Sequence, residues 1–109
     1  MGKREKKKIQ GTSSRPRLVV FRSHQHIYAQ IIDDSKGMTL LSCSTLEASI
    51  KLQLASTSTI QASTLVGESL GKRLIEKKIQ SVIFDRNGKP YHGRIQALAE
   101  GARTAGILF

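Results

Sequence analysis

The sequence has no tryptophan, a single cysteine and only two prolines. Of its 109 residues 39% are hydrophobic and 5% aromatic, so one small domain with a modest core is expected. Cys43 alone cannot form an internal disulfide bond, which favours a reducing compartment. No apolar run approaches the roughly 20 residues of a membrane span, and the charged start has no secretory-signal segment. Membrane proteins and secreted disulfide scaffolds are therefore not expected.

Acidic residues are also scarce. Eight Asp and Glu stand against eighteen Lys and Arg, for a net charge of +10. Residues 1–26 hold eight of these cations and one acid, Glu5, which is typical of a basic arm on a nearly neutral domain. Such an arm suits nucleic acid better than a membrane surface, because it has no apolar face. The arm cations expected to hold phosphates are Lys3, Arg4, Lys6, Lys7 and Lys8.

The composition changes at the Arg15-Pro16 pair. We expect residues 1–14 to be an RNA-binding arm that is disordered until bound, and residues 15–109 to be one globular domain. Runs rich in β-branched and aromatic residues, separated by short loops, predict a three-strand antiparallel meander. The predicted strands are 17–23, 27–33 and 39–45.

Apolar residues then recur at spacings of three and four from about residue 61 to 78, which predicts an amphipathic helix. A short apolar strand, 81–84, and a second helix ending at Gly106 follow. Residues 46–60 indicate only a loop or a weak helical turn. The expected fold is α+β, with the order βββαβα. The fold has a small mixed sheet whose fourth strand runs parallel to a meander strand, and both helices cover this sheet.

The first predicted hairpin carries groups that suit RNA. Hydrogen-bond donors cluster at its tip, and Tyr28 on the second strand suits stacking on a base or ribose. An ordinary exposed hairpin, with Tyr28 packed at a sheet edge, explains the same residues. The tip donors are Arg22, Ser23, His24 and His26.

A second cluster lies in the decapeptide DRNGKPYHGR, residues 85–94. Asn87-Gly88 supplies left-handed conformations for a tight turn, and Pro90 stiffens the segment that follows. The free N–H groups at the start of the second helix add a natural phosphate site. Because no helix suits the DNA major groove, we expect folded RNA to bind here. The side chains displayed would be Arg86, Lys89, Tyr91, His92 and Arg94.

Two other chemistries are alternatives to RNA binding. Three histidines and one cysteine fit no usual zinc spacing, so no metal or cofactor is expected. Carboxylates near strand ends leave a small metal-dependent nuclease as an alternative, although turn chemistry explains them better. A nonspecific basic nucleic-acid-binding protein is the remaining alternative. The zinc candidates are His24, His26, His92 and Cys43; the nuclease candidates are Asp33, Asp34 and Asp85.

Several stretches resemble bacterial-type large-subunit ribosomal protein eighteen. They are RPRLVVFRSHQHIYAQIIDD, STLE, VGESLGKRLIEKKIQSVIFDRNGKPYHGRIQALAEGAR and the closing AGILF. The resemblance covers roughly residues 11–109 and is densest over 15–34 and 82–109. Residues 48–64 match poorly, and the arm before Gly11 looks shorter than in many members. These departures from the family pattern fit a plastid-encoded protein as well as a bacterial one, and we favour a plastid origin.

The resemblance implies a non-enzymatic protein that binds 5S rRNA. It also implies that large-subunit rRNA and ribosomal protein five are partners in the central protuberance, and that the chain acts in ribosomes of a plastid stroma or bacterial cytoplasm. No small-molecule substrate is implied. The family's RNA contacts fall on the arm lysines and on Arg15, Arg17, Arg22, Ser23, His26, Tyr28, Gln30, Arg86, Tyr91, His92 and Arg94.

Overall fold

The runs of β-branched and aromatic residues at the start of the domain fold into three strands, as these residue types predict. The computed structural model describes residues 10–54 and 58–109. Helices and a fourth strand follow the three strands, and the predicted order βββαβα is confirmed. A short helix, α1, is added within the region expected to hold at most a weak helical turn. The elements are β1 (Arg17–Arg22), β2 (Ile27–Asp33), β3 (Met38–Ser44), α1 (Ala48–Lys51), α2 (Ile60–Glu76), β4 (Ile83–Asp85) and α3 (Arg94–Thr104).

The strands form one mixed sheet in the order β3-β2-β1-β4. β1 pairs antiparallel with β2 and parallel with β4, so the predicted parallel pairing of the fourth strand is confirmed. A register shift between Ile31 and Ile32 leaves Leu40 of β3 as the extra residue of a bulge. Because β1 and β4 run in the same direction, the chain leaves both strands at one end of the sheet, the loop end.

One face of the sheet carries the core. Alternate residues of β2 are buried, and they pack with residues of α2 and α3 in one hydrophobic cluster. Both helices therefore lie on the same side, and the opposite sheet face is turned away from them. The largest fully buried side chains of this cluster include Leu18, Ile27, Ile31, Leu70, Leu74, Ile95 and Leu98.

The two long helices approach each other closely at glycines. A methyl group added at Gly67 of α2 would overlap the backbone carbonyl of Leu98 in α3. A methyl group at Gly101 of α3 would likewise overlap the carbonyl of Thr64 in α2. These glycines therefore allow the close approach of the two helices.

Within residues 10–54 and 58–109, no helix combines the length and apolar character needed to cross a bilayer.

Candidate nucleic-acid interface

Two loops far apart in sequence meet at the loop end of the sheet. The β1–β2 hairpin tip, residues 23–26, follows β1, and residues 86–93 follow the parallel strand β4. Arg94, the first residue of α3, spans the two, since its Nη2 donates to the Ser23 carbonyl at 2.9 Å. The two regions that the sequence singled out for RNA therefore lie side by side.

The hairpin tip is a tight turn with its donors outward. The Ser23 amide donates to the His26 carbonyl at 2.9 Å, and the His26 amide to Ser23 Oγ at 3.2 Å. The side chains of Arg22, Ser23 and His24 are exposed, whereas His26 is half-buried. His26 Nδ1 lies 3.0 Å from the hydroxyl of Thr45, which is fully buried and also accepts from the Ile27 amide. Thr45 thus fixes the His26 ring, and no pattern in the sequence pointed to it.

Tyr28 and Gln30 lie on the sheet face turned away from the helices. Both are half-buried, and Tyr28 is directly opposite Phe21 on β1. Phe21 is 39% exposed, and the His26 ring centroid lies 6.3 Å from that of Tyr28. Three rings, those of Phe21, His26 and Tyr28, therefore lie near the hairpin tip. The sequence predicted only Tyr28 and His26 as RNA contacts.

The 86–93 loop has the turn that its sequence predicts. Asn87 and Gly88 have φ of 56° and 74°, the left-handed values expected of this pair. Asp85 Oδ1 accepts from the Asn87 amide at 2.8 Å and ties the turn to β4. The side chains expected to meet RNA are exposed, except that Tyr91 is half-buried. The exposed ones are Arg86, Lys89 and His92.

Tyr91 is held by intramolecular contacts. Its hydroxyl accepts from Arg103 Nη1 at 2.9 Å, and its ring meets Phe84 edge to face at 5.9 Å. The Arg103 guanidinium also lies 4.3 Å above the ring of Phe109. Tyr91 therefore anchors the loop to α3 and to the end of the chain. Nothing in the local pattern marked Arg103.

The basic arm joins the domain at the other end of β1. The Gly11 amide donates to Asp34 Oδ2 at 2.6 Å, and the Asp34 amide donates back to the Gly11 carbonyl at 3.1 Å. Gly11, near the end of the segment expected to form the arm, is therefore hydrogen-bonded to the domain. Six residues of β1, roughly 17 Å of strand, separate this point from the loop end. The arm cations Lys3, Arg4, Lys6, Lys7 and Lys8 lie outside the described residues.

Arg17 bridges two carboxylates. Its Nε lies 3.0 Å from Asp34 Oδ2, and its Nη1 lies 2.8 Å from Asp85 Oδ2. Arg17 was predicted to hold a phosphate, but its guanidinium already has intramolecular acceptors. Arg15 is exposed beside the arm. Both stay predictions as RNA contacts.

The same pairs remove the basis of the nuclease alternative. Asp34 and Asp85 face a cation, and Asp33 is buried with Oδ1 accepting from the Ser35 amide at 3.0 Å. In the part of the chain that the structure describes, no three His, Cys, Asp or Glu residues converge as a metal site would require. Burial raises the pKa of Cys43 to about 12, which keeps its thiol protonated.

The Arg17–Asp34 ion pair should contribute to the free energy of unfolding in a way that depends on pH. Its hydrogen bond lowers the pKa of Asp34 below the ordinary value of 3.8. The stabilisation is therefore complete above the unfolded pKa and is lost as pH falls through the folded one. We expect Asp34→Asn to reduce the free energy of unfolding by about 1 kcal/mol at pH 7. The difference from wild type should shrink below pH 4 in urea titrations, and a constant difference would contradict the assignment.

Comparison with known proteins gives one consistent result. A family model described as ribosomal L18 of archaea, bacteria, mitochondria and chloroplast matches residues 2–109. Large ribosomal subunit protein uL18c of Cyanophora paradoxa is 58% identical over 108 residues, which is 98% of this chain and 89% of the relative. The uL18 protein of Dictyoglomus thermophilum is 58% identical over 106 residues, 97% of this chain and 87% of the relative. The uL18 protein of Picosynechococcus sp. is 55% identical over 106 residues, which is 97% of this chain and 88% of the relative.

Proposed function

The chain belongs to the ribosomal L18 family, and from that membership we propose that it binds 5S rRNA and helps to attach it to the large-subunit rRNA in the central protuberance. Membership itself establishes a structural role in the large ribosomal subunit, in association with rRNA. The relatives are structural ribosomal proteins and not enzymes, which excludes the nuclease alternative.

The observation that carries the proposal is the meeting of the hairpin tip and the 86–93 loop at one end of the sheet. Exposed cations and hydrogen-bond donors from both loops lie at this end. They are close to the rings of Phe21, His26 and Tyr28, beside the sheet face turned away from the helices. Phosphates, riboses and unstacked bases of a folded RNA require that combination.

Charge supports a second contact region at the arm. The arm leaves the sheet at the end opposite the loops, so a bound RNA would contact both ends of β1. We therefore propose residues 1–14 as an RNA-binding arm and the loop end as a separate contact on the same RNA. Ribosomal protein five is the proposed neighbour in the central protuberance. The family description includes bacteria and chloroplasts, and either ribosome is compatible with the proposal.

A shift assay with 5S rRNA tests the function. We expect the purified protein to bind 5S rRNA about a hundredfold or more tightly than an unrelated RNA duplex of equal length, because specific complexes exceed nonspecific ones by at least this factor. Both should be titrated at several salt concentrations, since the electrostatic part of the affinity falls steeply with salt. Equal affinity for the two RNAs would defeat the 5S proposal.

A permuted loop separates specific binding from simple charge attraction. The variant carries residues 86–93 in a changed order, with the same net charge. We expect it to lose most of its preference for 5S rRNA, because Asn87 and Gly88 no longer form the turn that presents Arg86 and Lys89. Full retention of 5S affinity would favour the nonspecific basic binder.

A further inference from the structure

Arg94 is held by the protein in a way that the exposed arginines of the loop end are not. Its Nη2 donates to the carbonyl of Ser23, a residue 71 positions earlier in the chain. Its Nη1 is buried from solvent and makes no hydrogen bond within residues 10–54 and 58–109. The side chain of Arg22, the residue before Ser23, is exposed and makes no hydrogen bond or ion pair within residues 10–54 and 58–109. The two arginines therefore differ in how much of the guanidinium a phosphate could reach.

We propose that Arg94 is a positioning residue, which fixes the hairpin tip against the start of α3 before RNA binds, and that it is not a phosphate ligand. The inference rests on the proposed function, because it assigns a role within the same RNA-binding end. It replaces the expectation that Arg94 contacts RNA directly.

The hairpin tip needs such a fixation. Its internal bonds, from the Ser23 amide to the His26 carbonyl and from the His26 amide to Ser23 Oγ, close the turn on itself. They do not set its position relative to the 86–93 loop. The bond from Arg94 does, because it joins the tip carbonyl to the helix that the loop leads into.

The base of this bond is rigid. Arg94 is the first residue of α3, and the next residue, Ile95, is only 1% exposed in the core. Gly93 before it has φ of 59°, a conformation that glycine adopts without strain, and its carbonyl accepts from the Ala97 amide at 3.0 Å. A charged donor on a fixed helix end therefore holds the hairpin tip in place. Fixing the tip in advance lowers the ordering cost of binding.

Salt dependence distinguishes a positioning residue from a phosphate ligand. Loss of one phosphate contact lowers the slope of log affinity against log salt by about 1, whereas loss of positioning lowers affinity at every salt concentration. We expect Arg94→Ala to bind 5S rRNA about tenfold more weakly with an unchanged slope. Arg22→Ala is the matched control, with an expected decrease in slope of about 1.

The free protein gives a second readout that needs no RNA. Backbone amide relaxation by NMR should show increased motion at Ser23, His24 and His26 in Arg94→Ala, with the amides of β2 and α2 unchanged. Arg94→Lys keeps a charged donor at the same helix position, and we expect it to restore part of the tip order and of the affinity. Thermal unfolding of both variants checks that the domain is intact.

The outcomes separate the two proposals. A decrease of about 1 in the salt slope of Arg94→Ala would make Arg94 a phosphate ligand and overturn the positioning role. Unchanged tip motion in the free variant would overturn it as well. The wild-type protein could show no preference for 5S rRNA while Arg94→Ala still shows increased tip motion. This result would support the positioning role and defeat the proposed function.

Discussion

Removal of residues 1–9 should weaken binding to 5S rRNA about a hundredfold near physiological salt and flatten its salt dependence. The segment contains five of the eighteen cations and one acid. If three of the cations meet phosphates, the slope of log affinity against log salt falls by about 2–3. The truncation should keep Gln10, so that the Gly11 nitrogen stays an amide and keeps its bond to Asp34. Filter binding or a shift assay across a salt series measures both quantities.

A full-length variant is the control for this truncation. Replacing the five arm cations by glutamine keeps the chain length and removes the charge. We expect it to match the truncated protein in slope, because counterion release depends on charge. A slope equal to wild type in either variant would show that the arm does not touch RNA phosphates.

Gly67→Ala should reduce the free energy of unfolding by about 2–3 kcal/mol, although alanine is the better helix former. The added methyl group would overlap the Leu98 carbonyl, which is backbone and cannot rotate away. The helices would have to separate, and the core between them would lose contacts. For a domain of this size the midpoint of thermal unfolding should fall by roughly 10 °C.

Ser69→Ala is a suitable control on the same helix. Ser69 is half-buried in α2, and alanine there adds helix propensity without adding volume. We expect its stability to equal or slightly exceed that of wild type. If Gly67→Ala also raised stability, the helices would not be in the close contact described for Gly67 and Gly101.

The strands and helices were predictable because each has a local signal. Runs of β-branched and aromatic residues located the three meander strands, and the spacing of apolar residues located the first long helix. The Asn87-Gly88 turn followed from the two residue types alone. The helical crossover before β4 predicted that this strand would be parallel to its neighbour.

The candidate site was less predictable because its contacts join distant residues. Arg17 and Asp85 are 68 positions apart, and no local pattern shows that a predicted phosphate ligand is bound to a carboxylate. Arg103 and Thr45 were not predicted for the same reason, since each hydrogen-bonds a residue that is distant in the sequence. Gly67 lies within the segment predicted to be helical, but only the packing of α3 shows what this glycine does.

The edges of the sheet suit a protein that must stay dissolved before it is incorporated into a particle. An exposed, regular edge strand invites pairing with a second copy and aggregation. At one edge β4 has only three residues. At the other, β3 is bulged at Leu40, and its Ser42 carbonyl accepts from Arg73 Nη1 at 2.7 Å. Newly made copies therefore present little continuous backbone to each other while they await their RNA.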